Sequence, residues 1–196
     1  MTISFPIEIA PEGRPLPSAR ELVHFRMIPH STFTGSRLED YALLLRQARA
    51  LWEEDLPLSA NLANMSALLK QCIERTNWVG WYLWDPSLSQ LILGPFQGLP
   101  ACTRIALGKG VCGTAAFTRK TQLVADVHSF PGHIACDSAS NSEIVVPIVR
   151  GAHILGVLDI DSPEMSRFDT TDQSWLERFV DAIVPLWPPA GTETAQ

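Results

Sequence analysis

Apolar side chains recur along this chain with two different periods, and the changes of period divide it into elements. Tyr41, Leu44, Leu45, Ala48, Leu51 and Trp52 fall on one helical face. Ser36, with Glu39 three residues later, is a capping-box start for that helix. After Pro57 a second stripe of Leu62, Met65, Leu69, Cys72 and Ile73 predicts a helix from about Ser59. Trp78 to Trp84 is a run of large side chains, apolar on both faces, and predicts a strand covered on both sides. Asp85-Pro86-Ser87 turns it into a second strand near Gln90 to Leu93, and Arg104 to Leu107 forms a third, short one. Gly108 to Gly113 opens a short helix of about Cys112 to Arg119, and Leu123 to Ala125 is a brief strand. Glu143 to Val149 and His153 to Asp161 read as a hairpin across Arg150-Gly151-Ala152. Asp169 then caps a closing helix whose stripe is Trp175, Leu176, Phe179, Val180 and Ile183. Two helices, a run of strands, a hairpin and a final helix imply an α+β fold. Its antiparallel sheet should carry the helices packed on one face.

The ends of the chain lack such periods. Residues 1–33 hold Pro6, Pro11, Pro15, Pro17 and Pro29 and read as an N-terminal extension. Residues 34–187 form the folded domain, and 188–196, opening with Pro188-Pro189, form a tail. A length of 196 residues with 46% hydrophobic and 18% charged residues describes one globular domain with a sizeable core. The net charge of −6 argues against nucleic acid as a partner, because phosphate binding needs a basic face. No apolar run has the length of a membrane span, and the N-terminus lacks the basic-then-apolar pattern of a secretory signal. Four cysteines (Cys72, Cys102, Cys112 and Cys136) without an export signal point to reduced thiols in a cytoplasmic setting. A disulfide there is expected to be transient and catalytic.

Candidate chemistry gathers around Phe130 to Pro147, where a Pro-Gly turn leads to Cys136 and a Ser/Asn/Asp loop precedes the strand from Glu143. Cys112 should lie near a helix N-terminus, where the helix dipole would lower its thiol pKa. Gly108-x-Gly110-x-x-Gly113 matches a dinucleotide fingerprint but lacks the surrounding parallel strand-helix-strand unit, so a tight turn is the expectation. His128 and His133 stand near the cysteines. However, there is no Cys-x-x-Cys pair, and Cys102 to Cys112 is too wide for a zinc knuckle, so no metal is expected. His133 reads as a structural residue or a substrate contact. Cys72, on a helical stripe, reads as a packing residue. Period-two alternation puts Asp159 and Asp161 on one face of their strand, with Ile154, Leu158 and Ile160 on the other. A three-residue turn places Glu143 directly opposite Asp159. Like charges facing each other across a sheet are destabilising, so the cluster predicts a cationic ligand or a carboxyl kept protonated.

These residues stand in stretches that resemble a known family. They are Asn77-Trp-Val-Gly-Trp-Tyr82, Gly94-Pro-Phe-Gln-Gly98, Gly110-Val-Cys-Gly113, Phe130-Pro-Gly-His-Ile-Ala-Cys-Asp137 and Ser142-Glu-Ile-Val-Val-Pro147. From about Tyr41 to Val184 the chain resembles the free methionine-(R)-sulfoxide reductases, which are GAF-domain enzymes. Trp81 stands where Phe is more usual. The resemblance implies that Cys136 is the nucleophile, with Cys102 and Cys112 as partner cysteines. It implies that Trp78 and Tyr82 wall the substrate pocket, and that Glu143, Asp159 and Asp161 hold the amino group and assist the sulfoxide oxygen. It also implies no bound cofactor or metal, an external thioredoxin-type reductant and a homodimer. The alternative is a GAF-type sensor that binds a small ligand or reports redox state without turnover; three cysteines and the acid cluster favour the enzyme.

Overall fold

The computed structural model describes residues 33, 36–132 and 138–188. Helices α1 (Arg37–Leu51) and α2 (Leu58–Cys72) lead into strands β1 (Trp78–Asp85), β2 (Gln90–Gln97) and β3 (Arg104–Ala106). Helix α3 (Gly110–Thr118) and strand β4 (Gln122–Val124) follow. The hairpin of β5 (Ser142–Arg150) and β6 (His153–Ser162) and the closing helix α4 (Thr170–Ile183) complete the fold. The strands form one sheet in the order β3-β2-β1-β6-β5-β4, with every neighbouring pair antiparallel. The α+β class read from the sequence is the one observed.

Helices α1, α2 and α4 share one face of the sheet. Leu44, Ala48, Leu62, Met65, Leu69, Leu176, Phe179 and Ile183 pack there against Val79, Trp81, Ile144, Val146, Ile148, Leu158 and Ile160. Full burial of each large side chain contributes roughly 1.5–3 kcal/mol. The indole N–H of Trp81 donates to Leu62 O and Ser66 Oγ at 3.1 and 2.9 Å, so the larger ring brings no orphaned donor into the core. The short α3 covers the opposite face, where Val111, Cys112, Ala115 and Ala116 pack against Trp78, Tyr82, Val145 and Val157. This second layer is why β1 is apolar on both sides.

The caps divide as well. Asp169 accepts from the N–H groups of Thr171 and Asp172, and the Asp172 side chain reciprocates, giving α4 a full capping box. Ser36 stands at the N-cap of α1, but its side chain makes no capping hydrogen bond. Arg37 instead ties that helix end to Asp169 and Asp172 at the start of α4. Gly108 N–H donates to Gly113 O at 2.8 Å, and a Cβ on Gly113 would lie 2.3 Å from Ala106 O. The glycine run is therefore a tight turn, as expected. Among the described residues, no helix is long and apolar enough to cross a membrane.

The hairpin departs from its expected register. Its turn has two residues, Arg150 pairing with His153, and a bulge follows between Ile148 and Val149, where Leu155 of β6 is skipped. Glu143 consequently faces Asp161, and Asp159 faces Val145. The extra residue also turns Ile154 onto the acid-bearing face with Val157, while Leu155 joins Leu158 and Ile160 on the helix-covered face.

Candidate active site

The face under α3 carries an aromatic wall next to a row of acids. Trp78 pairs with Asp161, which pairs with Glu143; Gly80 pairs with Asp159, which pairs with Val145. Period two therefore aligns Trp78, Gly80 and Tyr82 with all three acids. Trp78 stacks between Phe96 and Tyr82, with ring centroids 5.2 and 5.9 Å away. Its indole N–H donates to Leu99 O at 3.1 Å, which fixes the ring. Gly80 makes the stack possible, because a Cβ there would lie 2.4 Å from both Trp78 Cη2 and Phe96 Cβ. Trp78 and Tyr82 are thus together as expected. Phe96 and Gly80 lie within the quoted stretches but carry no role legible in the sequence, since the strand pairing that sets them opposite each other is non-local.

Beneath the wall the side chains become polar but stay buried. Cys112 Sγ and one carboxylate oxygen each of Glu143 and Asp159 lie within 4.8 Å of one another. Cys112 Sγ donates to Glu143 Oε1 at 3.9 Å, whereas Asp159 Oδ1 is buried without a hydrogen-bond partner. Burial, followed by the charges of Asp159 and Asp161, pushes the Glu143 carboxyl well above the usual range. Burial raises Asp159 to about 6. Both shifts run in the direction expected of a carboxyl kept protonated, although the facing pair is Glu143 with Asp161. Asp161 is half-buried at the rim.

Cys112 departs from expectation. It is the third residue of α3, yet its thiol is pushed well up by burial first and then by Asp159 and Glu143. A partial charge of about half a unit at a helix end does not offset desolvation beside two carboxylates. The same burial, then Asp159, raises the Tyr82 phenol.

The thiols differ in state. Cys102 is disulfide-bonded, and Cys72 and Cys112 are free. Cys72 packs at the edge of the helical core, 3.8 Å from Asp40 O, with burial raising its thiol to about 12. Cys136 and His133 lie outside the described residues. Ser140 and Asn141, just before β5, are held in place: Asn77 Nδ2 donates to Ser140 Oγ at 3.0 Å, and Asn141 N–H to Ser162 O at 2.8 Å. His128 Nε2 lies 3.1 Å from Asn141 Oδ1 and belongs to this anchor. Among the described residues, the group that could hold a metal is Cys112 with Glu143 and Asp159.

A family model described as a GAF domain matches residues 66–184. The free methionine-R-sulfoxide reductase of Escherichia coli is 49% identical over 145 residues, covering 74% of this chain and 87% of that one. The chain belongs to the GAF-domain free methionine-R-sulfoxide reductase family. Two structures of family members in complex with substrate extend the likeness. The Staphylococcus aureus member is 54% identical with a TM-score of 0.69, over 74% of this chain and 94% of that one. The Neisseria meningitidis free methionine-R-sulfoxide reductase is 43% identical with a TM-score of 0.71, over 74% and 87%. In this reductase-family chain the aromatic wall, the acid row and Cys102 all fall between β1 and β6, within the span of the matching model.

Proposed function

We propose that this chain reduces free L-methionine-(R)-sulfoxide to methionine by thiol chemistry. The observation that carries the reading is the buried pair Glu143 and Asp159, with Asp159 Oδ1 unpartnered, set beneath Trp78, Tyr82 and Phe96. A buried carboxylate oxygen without a partner, as Asp159 Oδ1 is, favours a cation, and stacked rings favour a thioether-bearing chain; a free amino acid offers both. A peptide-bound residue has no α-ammonium there, which gives selectivity for the free form.

In this reading the Cys136 thiolate attacks the sulfoxide sulfur while a protonated carboxyl, Glu143 or Asp159, delivers a proton to its oxygen. Their raised pKa values keep such a proton available near neutral pH. Methionine leaves, and Cys136 is left as a sulfenic acid. Cys102 then condenses with it, forming an S–S bond and releasing water. The disulfide on Cys102, with Cys72 and Cys112 free, supports Cys102 as the resolving thiol. A thioredoxin-type dithiol returns both thiols, and no bound cofactor takes part.

The test is NADPH consumption coupled through thioredoxin and its reductase, comparing free methionine-R-sulfoxide, the S epimer and a peptide-bound sulfoxide. Turnover of the free R epimer alone is expected. Equal rates on both epimers, or faster turnover of the peptide, would overturn the proposal. Tight binding with no turnover would favour the sensor reading.

A further inference from the structure

Below the aromatic wall, one sulfur and two carboxylates converge from three separate elements. Cys112 comes from α3, Glu143 from β5 and Asp159 from β6, and their donor atoms lie within 4.8 Å of one another. Around a tetrahedral zinc ion, with bonds of about 2.3 Å to sulfur and 2.0–2.2 Å to oxygen, ligand atoms stand roughly 3.5 Å apart. The separation of 3.9 Å between Cys112 Sγ and Glu143 Oε1 is already close to that spacing. Independently, Asp159 is only 6% exposed and its Oδ1 has no hydrogen-bond partner. A buried acceptor left unpaired in this way marks a place for a ligand.

We propose that Cys112, Glu143 and Asp159 form a site for a thiophilic divalent cation such as zinc or cadmium, with a fourth position open, and that the cation excludes substrate. The donor set selects the metal class. Thiolate ligation favours soft ions, whereas magnesium and calcium take oxygen ligands and gain nothing from the sulfur of Cys112. The set also separates the two occupants: a substrate ammonium uses the carboxylates alone, and only a thiophilic metal gains from Cys112. Binding releases the thiol proton to solvent. Exclusion of substrate rests on the proposed function, but metal binding does not.

The experiment is a cadmium titration of the full-length Cys72→Ser protein in its disulfide form, in which Cys112 remains of the free thiols Cys72 and Cys112. Ultraviolet thiolate-to-cadmium charge transfer reports coordination by sulfur. One equivalent should bind with that absorption, and Cys112→Ser should abolish it. Asp159→Asn should keep the absorption and weaken binding by at least the 10- to 100-fold, roughly, that loss of a supporting group costs a metal site. This second variant decides the matter if the serine variant does not fold. No absorption in the Cys72→Ser protein, or its survival in Cys112→Ser, would overturn the site. Free methionine sulfoxide should raise the apparent cadmium Kd in proportion to its concentration. If methionine sulfoxide binds in equilibrium dialysis yet leaves the cadmium Kd unchanged, exclusion is overturned. If it does not bind even without cadmium, the functional reading fails while the metal site stands.

Discussion

Burial raises Asp159 to about 6, so its carboxyl ionises in the unfolded chain before it does in the folded one. Neither state is charged at low pH, and no penalty exists there. As pH rises from about 4 towards 6 the unfolded state loses its proton first, and stability falls through that window. Glu143 acts in the same direction over a higher range. Asp159→Asn should therefore melt at a higher temperature than the native protein at pH 8, with the gap narrowing towards pH 4. Calorimetry across that range is the check, and a gap independent of pH would contradict the assignment. The same substitution should lower kcat/KM for methionine sulfoxide by about tenfold to a hundredfold, the worth of a hydrogen bond to a charged group. The thiols give a second prediction. In a single turnover, Cys136→Ser should release no methionine, whereas Cys102→Ser and Cys112→Ser should both keep the burst. Only the Cys102 variant should then lose most of its thioredoxin-driven cycling. Cys72→Ser should stay close to native in catalysis, because its sulfur meets Asp40 O at the edge of the helical core.

At the scale of the element, the close contacts of β1 set the shape of the site. Trp78 folds back over Gly80, and a methyl group there would meet both Trp78 and Phe96 at 2.4 Å. Gly80→Ala should cost roughly 1–3 kcal/mol by overpacking and should displace the Trp78 ring. Its KM for methionine sulfoxide should rise more than its kcat falls; an unchanged KM would separate the ring from substrate binding. Gly156 serves the neighbouring strand at the bulge. A Cβ there would lie 2.3 Å from Tyr82 O, so Gly156→Ala should push β6 away from β1 and lower stability by at least a comparable amount. Urea unfolding of both variants measures these losses.

At the scale of the molecule, two groups of buried acids among the described residues differ in how their charge is met. Tyr41 donates to Asp172 at 2.6 Å, and Arg37 and Arg167 pair with the same acid, so the buried charge at the α1–α4 contact is compensated. Among the described residues, no arginine or lysine pairs with Glu143 or Asp159 in this way, and substrate is expected to supply a cation there. Free methionine sulfoxide at a hundredfold its Kd should stabilise the fold by about 2.7 kcal/mol. For a domain of this size that is roughly 5–10 °C in Tm. The increment should shrink sharply in Asp159→Asn. An equal shift in both proteins would place the ligand elsewhere.

Local periodicity carried most of the architecture. The stripes of α1, α2 and α4, the capping Asp169 and the doubly apolar β1 were legible because each depends on neighbours within a turn or two of chain. The spaced motifs around Trp78, Cys112 and Glu143 were enough to indicate the family. Three matters were decided only by tertiary structure. The register that sets Glu143 against Asp161 depends on a two-residue turn and one skipped residue in β6, and strict alternation cannot count a bulge. The face occupied by α3 depends on which layer is already filled, which its own short and nearly all-apolar sequence does not reveal. The thiol of Cys112 follows the same logic: a helix dipole is a local quantity, but burial beside Asp159 and Glu143 comes from strands 31 and 47 residues away in sequence. Desolvation is a property of the packed molecule, and there it outweighs the dipole.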